Sequence, residues 1–217
     1  MREKILSAKK KFVALHGAKP PRKGRDRLPP GQTLSAGFPV LDLGIHPAFD
    51  PRTWSFSVEG EVANPRTWTW PEFSRLPQIE QVSDFHCVTT WSKFDVSWGG
   101  VQFKTLADIV LPGERARFVV CHCSDDYTTN IPIDDALAPD VILACKLDGA
   151  PLPVEHGGPA RLVVPKLYAW KSAKFIRKIS FVEKDDPGFW ESRGYHSHGD
   201  PWKEERFSQT IVFSTPN

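Results

Sequence analysis

Two stretches of this sequence carry side chains with the chemistry and the spacing to build a reaction site. The first reads Asp84-Phe85-His86-Cys87-Val88-Thr89-Thr90-Trp91-Ser92 and runs on into Val96-Ser97-Trp98-Gly99-Gly100-Val101. A cysteine at the end of a strand, ahead of a glycine-containing aromatic loop, can hold its sulfur at the mouth of a cavity, where the thiolate is the metal-binding form. Taken alone, a mid-chain cysteine is more often buried packing, since free Cys is among the most buried residue types. The second stretch reads Pro153-Val154-Glu155-His156-Gly157-Gly158-Pro159-Ala160-Arg161-Leu162-Val163-Val164-Pro165, followed by Lys166-Leu167-Tyr168-Ala169-Trp170-Lys171-Ser172-Ala173-Lys174. It brackets a short apolar strand with a histidine, an arginine and three lysines. Arginine offers a planar fork and lysine a point charge, a set suited to a phosphorylated ligand. A solvated basic face is the alternative, and the Gly157-Gly158-Pro159 turn argues against it by letting backbone approach a ligand closely.

Smaller features have plainer readings. In Cys121-His122-Cys123, adjacent strand residues point to opposite faces, so only the two cysteines share a side; zinc ligands are usually spaced by two to four residues. Buried strand positions are the expectation there, with the end of that strand lining a pocket and a zinc-stabilised module as the alternatives. His196 and His198 fall in a Gly- and Pro-bounded stretch that reads as a solvated loop, and Asp125-Asp126 as a turn before Tyr127. His46, in Gly44-Ile45-His46-Pro47, is a further candidate for the pocket.

Taken together, the two long stretches resemble the molybdopterin-binding domain of the sulfite oxidase family. The resemblance rests on a Cys followed by Trp-Ser and then Trp-Gly-Gly-Val, with His-Gly-Gly-Pro-Ala-Arg-Leu-Val-Val-Pro and Lys-Ser-Ala-Lys-Phe downstream, over roughly residues 36–206. Within that family the chain looks like the compact, haem-free bacterial oxidoreductases, which include the catalytic subunit of a methionine sulfoxide reductase. The resemblance implies a molybdenum-dependent oxidoreductase with a molybdenum-molybdopterin (Mo-MPT) cofactor, performing oxygen-atom transfer on a small substrate such as an S-oxide, an N-oxide or a sulfite-like anion. It implies Cys87 as the molybdenum ligand and catalytic residue, His156 and Arg161 at the pterin and its phosphate, and Lys174 at the phosphate. Ser172 and Ala173 fall in the loop whose backbone meets the cofactor, with Lys171 as a further contact. A non-catalytic molybdopterin carrier is the alternative, against which a thiolate at a cavity mouth speaks.

The sequence also departs from that pattern. Sulfite oxidases place an arginine shortly after the cysteine, and Val88-Thr89-Thr90-Trp91-Ser92 has none. With Trp91, Phe94 and Trp98 nearby, an aromatic pocket for neutral molecules is expected, since a buried anion needs a paired cation. No cytochrome, haem or flavin motif is present, so electrons are expected to come from a separate electron-transfer partner protein or from the substrate pair.

The elements that position these residues read as a mixed, β-rich α+β fold with short helices, the sulfite oxidase type. Of 217 residues, 40% are hydrophobic and 25% charged, which excludes a disordered chain, and 15 Gly with 20 Pro point to many turns. No apolar run approaches the roughly 20 residues of a membrane-spanning helix. The net charge of +2 divides into +8 over residues 1–30 and −6 over the rest, a solvated basic tail before an acidic domain, with no footprint for nucleic acid. A helix over 2–16, a Pro-rich linker over 18–30 and a domain boundary between 34 and 35 follow, with the molybdopterin-binding domain over 35–217. Strands are expected over 53–58, 79–90, 116–123, 141–147, 162–164 and 175–182, with a hairpin turn at Asp148-Gly149, and helices over 72–76, 105–111 and 133–137. Four cysteines without a disulfide-like framework and a Lys9-Lys10-Lys11 run that breaks any leader suggest a cytoplasmic protein.

Overall fold

The computed structural model describes residues 17–18 and 25–208. The helix expected over 2–16 and most of the basic tail lie outside the described residues. Two sheets and short helices make up the rest, the expected β-dominated architecture.

The first sheet is organised around β6 (Trp91–Gln102). β5 (Gln78–His86) runs antiparallel along it, from Gln78 opposite Val101 to His86 opposite Ser92. β2 (Thr33–Ser35) lies parallel to its first residues, and β9 (Ile142–Leu147) antiparallel to its last. β1 (Gly17–Ala18) extends the sheet beyond β2; β10 (Ala150–Pro151) and β11 (Arg161–Val163) both pair with β9. The second sheet has the order β4 (Arg66–Thr69), β3 (Ser55–Gly60), β12 (Ile176–Val182), β7 (Phe118–Cys123) and β8 (Thr128–Pro132).

Alternation of side chains assigns the faces. Leu143 and Leu162 join the core shared with Phe56, Val119, Ile179 and Phe181 of the second sheet. Ile142, Ala144 and Val163 point the other way, into a cluster with Phe85, Cys87, Trp91 and Trp98. Around β9 and β11 the first sheet is therefore buried on both faces, and period two places Arg161 on the face of Val163. α1 (Trp70–Ser74) starts after Thr69, whose N–H donates to the Glu72 carboxylate at 2.8 Å. α2 (Phe103–Val110) buries Phe103, Leu106, Ala107 and Val110, the spacing of one helical stripe. α3 is the short turn Ile133–Ala136.

Three expectations need correction. Residues 91–102 form the long central strand β6 and not an aromatic loop. Glycine here serves close approach: a Cβ on Gly100 would sit 2.1 Å from the Leu143 carbonyl oxygen, where β6 bulges against β9. β4 and β8 are further strands that the pattern did not reveal. The boundary between 34 and 35 falls inside β2, so Thr33 and Leu34 belong to the sheet. No helix among the described residues is long and apolar enough to cross a membrane.

Candidate cofactor site

A cleft of about 820 Å³, counting the space open to solvent at its mouth, opens beside the cysteine-bearing face of the first sheet. Cys87 follows β5 and is 7% exposed. Its N–H donates to the Trp91 carbonyl at 2.8 Å, and its carbonyl accepts from Thr90 N–H at 3.1 Å, which closes a tight turn into β6. The sulfur lies 3.1 Å from Thr89 Oγ1. Behind the turn, His86 Nδ1 meets Ser92 Oγ at 2.8 Å, and burial pushes the imidazole down to about 4, so it is neutral at pH 7.

The opposite wall comes from the segment around β11. Arg161 is 3% exposed and donates from Nη1 to the His156 carbonyl at 2.9 Å and from Nη2 to the Ser172 carbonyl at 2.8 Å. Its guanidinium lies 5.2 Å from the Phe85 ring centre and 5.5 Å from that of Trp98. Among the described residues no carboxylate lies within ion-pair distance of it. Burial pushes Arg161 down to about 10, so the charge persists at neutral pH. Lys174 Nζ donates to the Glu155 carbonyl at 2.6 Å and sits 3.4 Å from Asp42. Burial, then the charge of Arg161, push it down to about 8. His156 stacks on Phe38 at 4.5 Å, and burial and both cations lower its pKa. A Cβ on Gly157 (φ 103°) would come within 2.8 Å of Lys174 Cγ, so glycine lets the lysine pass beneath the turn.

Cys87, His156, Arg161, Ser172 and Lys174 all line this cleft. Ala173 stands behind it, its carbonyl accepting from Leu162 N–H at 2.9 Å. Lys171 does not reach it. Its ammonium is buried in the interior, 2.6 Å from Glu191 Oε1 and 2.7 Å from the Asn130 carbonyl, because the 3₁₀ turn Ala169–Lys171 directs it inward. Of the three aromatic residues expected near the cysteine, only Trp91 lines the cleft. Phe94 lies under Arg27 at 4.5 Å, and Trp98 is fully buried. The rest of the aromatic wall is Phe38, Phe85, Tyr127, Trp170, Trp190 and Tyr195, of which only Phe85 is close to Cys87 in sequence.

Other expectations resolve as follows. Cys121 and Cys123 are buried core residues whose thiols burial pushes up, Cys121 to about 12, while His122 faces Ser180 at 3.2 Å. No metal-binding group of three such side chains occurs among the described residues. Asp125-Asp126 does form a turn, the Asp125 carboxylate accepting from Tyr127 N–H at 3.3 Å. His196 and His198 are not a solvated pair: His198 bridges Asp135 at 2.7 Å and Glu205 at 2.8 Å. His46 pairs with Asp42 at 2.9 Å; Asp42 lines the cleft and His46 does not.

The oxidoreductase molybdopterin binding domain family matches residues 43–190. The chain is 43% identical over 183 residues to the uncharacterized oxidoreductase YuiH of Bacillus subtilis, covering 84% of this chain and 92% of that one. It is 29% identical over 168 residues to the protein-methionine-sulfoxide reductase catalytic subunit MsrP of Campylobacter jejuni, covering 70% of this chain and 56% of MsrP, so it spans little more than half of that relative. The sulfane dehydrogenase SoxCD of Paracoccus pantotrophus shares the fold, with a TM-score of 0.59 at 19% identity over 64% of this chain and 40% of SoxCD. The chain belongs to the oxidoreductase molybdopterin-binding domain family, of the compact sulfite oxidase kind. It is a molybdenum-dependent oxidoreductase whose cofactor is molybdenum-molybdopterin.

The residues fit that cofactor. A buried guanidinium with no carboxylate beside it suits a phosphate, which offers the missing counter-charge. The Trp91 Nε1 donor, buried on the Cys87 side of the cleft, has no hydrogen-bond partner among the described residues.

Proposed function

We propose that the protein transfers an oxygen atom to or from a small neutral substrate, an S-oxide or N-oxide, with Cys87 as the protein ligand of molybdenum. The observation that carries this reading is that Arg161, buried and without a carboxylate partner, faces the cleft that Cys87 enters. Bound there, the cofactor supplies a metal that cycles between Mo(VI) and Mo(IV) as the oxygen atom moves. Arg161 and Lys174 hold the phosphate by charge-assisted hydrogen bonds, and the Ser172 loop and the His156–Phe38 stack flank the pterin. Tyr127, Trp170, Trp190 and Tyr195 exclude water and give an apolar surface for the substrate. The turn after Cys87 offers no arginine side chain to an anion, so neutral oxides are favoured over sulfite. Sequence likeness to a methionine-sulfoxide reductase subunit supports the S-oxide class. Electrons come from or go to a separate partner protein.

The test is Cys87→Ser in the loaded chain, with a dye as electron partner, against sulfite, S-oxides and N-oxides. A hydroxyl is a poor soft-metal ligand, so the variant is expected to keep the pterin and lose turnover. Full activity in that variant ends the ligand assignment. A sulfite efficiency above that of every neutral oxide in the parent chain ends the substrate reading.

A further inference from the structure

The turn that carries Cys87 is held from outside. Gln32 Nε2 donates to the Cys87 carbonyl at 3.1 Å, and Arg206 Nη1 to the Val88 carbonyl at 2.7 Å. Thr33 donates to the Thr90 carbonyl through its N–H at 2.9 Å and its hydroxyl at 3.1 Å. All three donors lie beyond residues 43–190, two before and one after. Arg206 also joins the flanking segments, since its Nη2 donates to the Pro30 carbonyl at 3.3 Å. Its guanidinium lies 5.0 Å from the Tyr168 ring. Gln32 is fixed in turn, its Oε1 accepting from Ser92 Oγ at 3.4 Å.

The turn needs such support. Thr90 has φ 74°, a left-handed conformation that a β-branched residue holds only where its surroundings over-determine it. Releasing the carbonyls on either side would let Thr90 relax and Cys87 swing. We propose that Gln32 and Arg206 are positioning residues that fix the direction of the Cys87 side chain. They act through the backbone of the turn, and the inference rests on Cys87 being the metal ligand. Arg206 has the stronger hold, because its donor is charged.

The experiment uses the full chain loaded with Mo-MPT. Arg206→Ala and Gln32→Ala are each expected to lower kcat about tenfold, with KM and bound molybdenum within about twofold of the parent. Both are expected to speed amide exchange at Cys87 and Thr90 about tenfold, with or without cofactor, while β7 amides stay protected. Arg206→Lys keeps a charged donor and is expected to recover most of both losses, which also keeps the test sound if the alanine variant folds poorly. Unchanged exchange, or faster exchange with an unchanged kcat, overturns the positioning role. Undiminished turnover in Cys87→Ser overturns the ligand reading itself, whereas unaffected alanine variants beside an inactive Cys87→Ser overturn only the positioning.

Discussion

On one side of the cleft, the Cys87 turn is held by residues 55, 57 and 118 positions away in sequence. On the other, His156, Arg161, Ser172 and Lys174 come from a single stretch closed by its own backbone: Arg161 donates to the carbonyls of His156 and Ser172. The sulfur wall is assembled from distant parts and the phosphate wall is written in one place. Their electrostatics differ as well. The turn is held by donors that are already engaged, whereas the phosphate wall keeps Arg161 without a carboxylate. On the proposed function, direction is fixed where Cys87 would bind the metal, and Arg161 is left without a carboxylate where the phosphate would bind.

The harshest way to break this contrast is at Lys171, whose fully buried ammonium pairs with the buried Glu191 carboxylate. Lys171→Met leaves the Glu191 carboxylate buried beside Thr129 and Trp170 with no cation, and removing one partner of such a pair typically costs about 3–5 kcal/mol. Chemical denaturation of the parent and the variant measures it, and a loss under about 1 kcal/mol would show that the pair does not anchor the stretch.

Next in size is Arg161→Leu, expected to weaken cofactor retention by roughly tenfold to a hundredfold, at about 1.5–3 kcal/mol for a charge-assisted contact. Removing a buried guanidinium without a carboxylate favours the cofactor-free variant and orphaning the His156 and Ser172 carbonyls disfavours it, so its stability is expected within about 2 kcal/mol of the parent. Molybdenum content after dialysis and a thermal melt read the two effects. Full retention refutes the phosphate role.

Lys174 sharpens the contrast through pH. Its pKa in the fold is about 8, against an ordinary 10.5. Between those values the unfolded chain holds a proton that the folded chain has released, so stability of the cofactor-free protein rises with pH by roughly 1 kcal/mol per unit. Phosphate binding needs the charged form, so cofactor affinity moves the opposite way and falls above pH 8. Titration with the pterin cofactor and melts over pH 7–10 check both signs, and parallel trends would remove Lys174 from the phosphate site.

The smallest effect is expected at the turn. Thr90→Gly relieves the left-handed backbone at an added entropic cost and should change stability by about 1 kcal/mol or less, read as a small shift in Tm.

The same division explains what the sequence made legible. The phosphate wall could be read because its glycines, arginine and lysine are contiguous, and Cys87 because Trp-Ser and Trp-Gly-Gly-Val follow it closely. Lys171 could not be told from Lys174, since Lys171 ends a 3₁₀ turn that sends its ammonium into the interior while Lys174, three residues on, reaches the cleft. Gln32 and Arg206 carry no local signal, as their partners are backbone carbonyls of a distant turn. β6 looked like a loop because Gly99-Gly100 suggests flexibility, where the strand in fact requires the absence of a Cβ against β9. His196 and His198 sit in loop-like sequence, and their carboxylate partners lie elsewhere in the chain.

Three of the protein's eight tryptophans, Trp91, Trp170 and Trp190, line the cleft. Indole emission responds to the polarity and the acceptors around the ring, so the site carries its own optical reporter. Arrival of a pterin, its loss on dialysis and entry of a substrate each alter the environment of these rings. Cofactor loading can therefore be followed by intrinsic fluorescence in the unlabelled protein, in real time and without assaying turnover.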